Sequence, residues 1–130
     1  MIESAPKKLP HGDIIENQAA RYEAARRVLE EEGISIKHFR LSCITPHGEV
    51  GSHTGGITVA YRQLNTDSFV EISTAICSKH DIYNRKVGTI LAVEQFMNMR
   101  RIRVPAFGGA PSDVVEALFR DYTTFVSIED

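Results

Sequence analysis

The spacing of apolar residues along this chain switches repeatedly between helical and extended periods. From Asp13 onward, Ile15, Ala19, Tyr22, Ala25 and Leu29 recur at three- and four-residue steps. That spacing predicts a helix over 13–32, with Gly33 standing where a helix ends in the left-handed conformation. Residues 34–44 alternate instead, with Phe39, Leu41 and Cys43 on one side, and read as a strand. Two further strands are predicted at 57–64 (ITVAYRQL) and 69–77 (FVEISTAIC), with NTDS between them as a hairpin turn. The intervening stretch 45–56, TPHGEVGSHTGG, holds four Gly and a Pro and predicts a long loop.

The helical period returns from about Asp81 to Met99, RIRVP reads as a short strand and AFGGAPS as a loop. Ser112 is the expected cap of a last helix, DVVEALFRDY, and TTFVSI closes as an edge strand. The order α-β-β-β-α-β-α-β predicts an α+β fold, an antiparallel meander with one N-terminal and two C-terminal helices. Two Pro and a Gly predict a loose 1–12, and a chain of 130 residues fits one compact domain, so 1–130 reads as one domain. In it the helix 13–33 is appended to an α+β core, 34–130.

Composition narrows the partners. Formal charge is −2, which disfavours a long polyanion as the ligand of the whole molecule. From Lys79 to Arg103, however, six cations face only Asp81 and Glu94. A basic belt inside an acidic molecule suits a compact anion. Cys43 and Cys77 sit in apolar alternating runs as small buried hydrophobes, and two cysteines give no disulfide framework. With no signal-like start and no run approaching about 20 apolar residues, the chain reads as cytosolic and not membrane-bound.

Candidate catalytic and metal-binding patterns are sparse. His38, His47, His53 and His80 are scattered, with no i, i+4 pair on a helix and no CxxC or HExxH to set ligand geometry. No P-loop, GxGxxG or GxSxG occurs. A Cys77–His80 pair has the elements of a nucleophile and a base, but Cys77 ends an apolar strand. No cofactor or metal is called for.

The chemistry concentrates in residues 77–92, CSKHDIYNRKVGTILA. One reading is structural. Ser78 or Asp81 caps the helix, and Asp81 pairs with Arg85 at i, i+4 for about 0.3–0.5 kcal/mol. The other is functional: the first helical turn faces a phosphate, Arg85 and Lys86 hold it, Tyr83 stacks on a base and Asn84 bonds its polar edge. Tyr83, Val87, Ile90, Leu91 and Met97 are expected to face the sheet. Gly88 and Ala92 form a separate small-residue stripe, for a second subunit or for the final helix. Gly55–Gly56 and the AFGGAP loop, with Phe107, are further places where a ligand can approach backbone.

The segment from Gly56 to Ala92 resembles the first described family of Thoeris anti-defence proteins. It shares with them a strand ending in Cys-Ser, then Asp81, an aromatic at 83, Asn84-Arg85-Lys86 and Gly88. These small phage proteins are signal sponges, which bind cyclic ADP-ribose-type messengers, and in some members cyclic oligonucleotides, without cleaving them. The resemblance implies a homo-oligomer in the infected cell's cytoplasm with ligand sites between subunits. It implies a site of Asp81, Tyr83, Asn84, Arg85, Lys86 and Gly88, completed by Arg101 and Arg103. Two other classes stay open: a small nucleotide or phosphoester enzyme using His47, His53 or His80, and an inhibitor that binds a host factor through the basic belt.

Overall fold

A computed structural model describes residues 17–64, 69–120 and 124–126, with backbone alone at 42–45, 49–53, 79 and 124–126. Helix α1 (Gln18–Glu32) ends at Gly33, whose φ of +67° turns its N–H back onto the Leu29 carbonyl. Residues 13–16 of the predicted helix and the NTDS turn (65–68) lie outside the described residues. There follow β1 (Ser35–Thr45), β2 (Gly48–Gln63), β3 (Phe69–Ile82), α2 (Arg85–Met97), β4 (Ile102–Pro105), α3 (Pro111–Phe119) and β5 (Thr124–Val126). The five strands form one sheet in the order β4-β3-β2-β1-β5. Neighbours are antiparallel except β5, which runs parallel to β1. This is the predicted α+β class, with a meander and one N-terminal helix.

Side-chain alternation divides the core into two halves. On one face Ala60 and Ala75 pack with Ala92 and Phe96 of α2 and with Ile34, backed by Val28 and Leu29 of α1. On the other, Val59, Tyr61, Val70 and Ile72 meet Ala106, just after β4, and Val115 of α3. The sheet is therefore the middle of three layers. Among the described residues no helix is long and apolar enough to cross a membrane.

Several local expectations are corrected. The predicted loop 45–56 is mostly strand: Thr45 pairs with Gly48 across a turn at Pro46–His47, and β2 runs on from there. Its glycines serve strand irregularities, since the β1–β2 register shifts between Arg40 and Ser42 and the β2–β3 register between Thr54 and Gly56. The central helix begins at Arg85, not Asp81, because Ile82 still pairs with Thr54 and holds the chain in the sheet. Its cap is Asn84, whose Oδ1 accepts from Val87 N–H at 3.1 Å. Ser78 instead accepts from His80 N–H at 3.1 Å. Ser112 lies inside α3, which starts with Ala110 as N-cap and Pro111 at the first position.

The small-residue stripe is corrected too. Gly88 lies directly on Thr58 of β2, so close that a Cβ would overlap the Thr58 hydroxyl. The Ala92 carbonyl accepts from Ser73 Oγ at 2.8 Å. The stripe therefore faces this chain's own sheet, neither a second subunit nor the final helix. Val87 and Ile90 turn toward Tyr22 of α1, and Met97 is exposed.

Candidate functional site

Beyond Cys77 the last turns of β3 leave regular pairing. Gly56 pairs with Cys77 and Thr54 with Ile82, so Gly55 alone spans residues 78–81. The bulge wraps the Cys77 sulfur, which lies 3.4 Å from the Asp81 carbonyl and 3.6 Å from that of Ser78. Burial pushes this thiol's pKa up from its ordinary value, and the Gly55 N–H offsets only part of that. Cys77 is a packed, protonated anchor for the bulge rather than a nucleophile.

From Ile82 the chain crosses back over the sheet, and Tyr83 lands on β1 and β2. Gly56, at φ +156°, makes room for it: a Cβ there would sit 2.7 Å from the Tyr83 ring and 2.8 Å from the Phe39 carbonyl. The Tyr83 hydroxyl is 2.8 Å from His38 Nδ1 and 2.6 Å from Thr58 Oγ1. Thr58 and His38 are themselves direct cross-strand partners, with side chains 3.1 Å apart. Burial, and then the Arg85 charge, lower the His38 pKa and favour neutral imidazole. The Tyr83 hydroxyl, His38 Nδ1 and Thr58 Oγ1 form one hydrogen-bonded cluster, and the phenol also lies 3.4 Å from the Ile57 carbonyl oxygen. Burial raises the Tyr83 pKa, with Thr58, Arg85 and Arg40 opposing that rise.

Around this base stand the cations. Arg85 is exposed at the first position of α2 and makes no ion pair or hydrogen bond among the described residues. Arg40, two residues after His38 on the same face of β1, is near enough for its charge to act on Tyr83. Lys86 lies 5.3 Å from the centroid of the Tyr22 ring, which Arg26 also approaches at 6.0 Å. The structure thus gathers Tyr83, Asn84, Arg85 and Lys86 at one corner. Asp81 is exposed on the adjoining bulge, on a strand and not one helical turn before Arg85, and the expected Asp81–Arg85 pair does not form.

Gly88 belongs to the corner only as a floor, buried against Thr58. Arg101 and Arg103 lie elsewhere. Arg103 pairs in register with Glu71, and from Glu71 to Cys77 alone the strand covers about 20 Å. Arg101 bonds the Phe96 carbonyl at 2.9 Å and the Glu71 carboxylate at 3.3 Å. Within one chain these two arginines do not reach the corner.

His38, Thr58 and Arg40 are site residues that sequence reading passed over. The alternation in KHFRL was the available signal, since it puts His38 and Arg40 opposite Phe39. Of the other histidines, His47 and His80 are exposed, and the His53 side chain lies outside the described residues. No group of three or more His, Cys, Asp or Glu side chains converges among the described residues. Set against family models, curated proteins and solved structures, the chain has no match.

Proposed function

We propose that this protein is a non-enzymatic sponge for a cyclic nucleotide signal of the cyclic ADP-ribose or cyclic oligonucleotide kind. The observation that carries this reading is Arg85. It is an exposed guanidinium with no counter-charge among the described residues; its charge and that of Arg40 both act on a half-buried tyrosine, and it stands at a helix end whose dipole already repels cations. A planar fork in that setting gains most from a phosphate oxygen pair. The resemblance of residues 56–92 to the anti-defence sponges supports the same choice of ligand.

Tyr83 and His38 speak for binding over catalysis. The phenol and the imidazole nitrogen are directed at each other and at Thr58, which fixes the ring in place and leaves neither as a ready acid or base. In this reading Tyr83 offers its ring to a base, Asn84 its amide to a polar edge, and Arg85 with Lys86 the charge. Asp81 accepts from a ribose hydroxyl.

A thermal-shift series with cyclic ADP-ribose isomers and cyclic oligonucleotides tests this. A true ligand at 100 times its Kd raises stability by about 2.7 kcal/mol. The ligand should be recovered chemically intact after the protein is heat-denatured. Recovery of a hydrolysed product would overturn the sponge reading.

A further inference from the structure

The geometry points to the outer edge of β3, Ser73–Cys77, as a docking site for an extended segment of another protein. That segment carries apolar residues at alternate positions and an acidic group at its C-terminal end. β3 is paired with β2 from Val70 to Cys77, but with β4 only from Phe69 to Ile72. Among the described residues nothing pairs with its outer edge beyond Ile72. Backbone groups on an open edge are matched best by another extended backbone, which favours polypeptide over a lipid surface or a nucleic acid. The docking site does not rest on the ligand reading above.

The side chains beside this edge set the pattern of the occupant. Ile76 lies on the α3 face of the sheet, in alternation with Val70 and Ile72. It is 73% exposed, and with Ile102, 62% exposed, and Leu118 it borders an apolar groove of about 350 Å³. On the opposite face Ser73 and Ala75 are buried beneath α2. A strand laid along the edge therefore turns every second side chain toward the groove. The exposed large apolar residues among those described belong to β3, β4, α3, the end of α2 and the turns flanking β4, while α1, β1 and β2 present none. An apolar patch gathered at one edge marks an interaction surface.

Direction and charge follow from β4. It runs antiparallel to β3 and begins with Ile102 opposite Ile72. An occupant that is also antiparallel to β3 lies in line with β4, and its C-terminal end arrives where β4 starts. Arg103 is exposed there, with no ion-pair partner among the described residues. Its cross-strand neighbour Glu71 is bonded instead to Arg62 and Arg101. An acidic side chain or a terminal carboxylate on the occupant meets that charge. A second copy of this chain is less well matched. The residues it brings after its Cys77 are Ser78 and Lys79, a cation toward a cation.

Selection of short random peptides on the full chain tests this, followed by fluorescence polarisation with the enriched peptides. Enriched sequences should alternate apolar residues and end in Asp or Glu. Ile76→Asp and Ile102→Lys, both at exposed positions and checked by circular dichroism, should each weaken binding by about tenfold or more. Arg103→Glu leaves the apolar surface intact and should shift the preference from acidic to basic ends. Amides within Ser73–Cys77 should exchange more slowly with peptide bound. Peptides without a shared pattern, or binding untouched by Ile76→Asp, overturn the proposal. So does a wild type that sediments as a dimer which Ile76→Asp dissociates, since the edge would then belong to a second copy. Binding to phosphatidylcholine–phosphatidylserine vesicles through Ile76, with no peptide enriched, overturns it as well.

Discussion

At the Phe69 end of β3, Arg62 and Arg101 close on one buried carboxylate, Glu71, at 2.8 and 3.3 Å. Both guanidiniums also lie over the Phe96 ring, at 5.1 and 4.6 Å. At the Ile82 end, Arg85 is exposed and no carboxylate pairs with it among the described residues. The same residue type is thus paired at one end and unpaired among the described residues at the other. Where the partner is supplied by the fold, an arginine is cross-bracing between strands and a helix. Where it is withheld, the charge remains available to something that is not part of the chain.

Glu71 holds the braced end together. Glu71→Gln keeps the side-chain shape but leaves two partly buried guanidiniums without their shared counter-charge. Removing one partner of a buried pair costs about 3–5 kcal/mol. The expected loss is about 3 kcal/mol, the low end, because Arg62 is still paired with Glu32. Urea denaturation measures it. A loss under about 1 kcal/mol would mean the bridge is not structural, and the contrast between the two ends would collapse.

A substitution between the ends comes next. Gly88→Ala adds helix propensity worth about 1 kcal/mol, but the new methyl must displace the Thr58 hydroxyl. Overpacking of this kind costs about 1–3 kcal/mol, and it also disturbs the Tyr83 and His38 bonds that Thr58 makes. The expected net effect is a loss of about 1–2 kcal/mol. Thr58→Ala in the same chain should restore part of it, a coupling that a double-mutant cycle reads directly. If Gly88→Ala left stability alone and changed sedimentation instead, the stripe would face another chain after all.

Local pattern sufficed wherever a segment's own period decided its state. The 69–77 strand, the Gly33 helix stop and the order of elements were legible because alternation, caps and turns are short-range properties. The errors share a different cause. TPHGEVGSHTGG reads as a loop by composition, yet it is strand because β1 lies beside it. Ser78 and Asp81 look like caps, yet the strand continues because Ile82 finds Thr54, twenty-odd residues back in the chain. The basic belt reads as one feature from Lys79 to Arg103, but Glu71 divides it, and no spacing within the belt reveals that partner. Tyr83 and Arg85 were legible as site candidates. His38, Thr58 and Arg40 were not, since only strand register brings them beneath the corner.

At the corner, Arg85 can be removed at little cost to the fold. Arg85→Ala removes an exposed side chain that makes no bond among the described residues, so the change should stay within about 0.5 kcal/mol. Its direction should be toward greater stability, because a cation at a helix N-terminus opposes the dipole by about 0.3–1 kcal/mol. Relief of the Arg85 charge should also let the His38 pKa rise toward its ordinary value. Ligand binding should move the other way, weakening at least tenfold, which is about 1.4 kcal/mol. Arg85→Lys separates charge from shape: it keeps the cation but loses the planar fork, and should recover only part of the affinity. A clear loss of folding stability in Arg85→Ala would show that the corner, like the Glu71 end, spends its arginine on the fold.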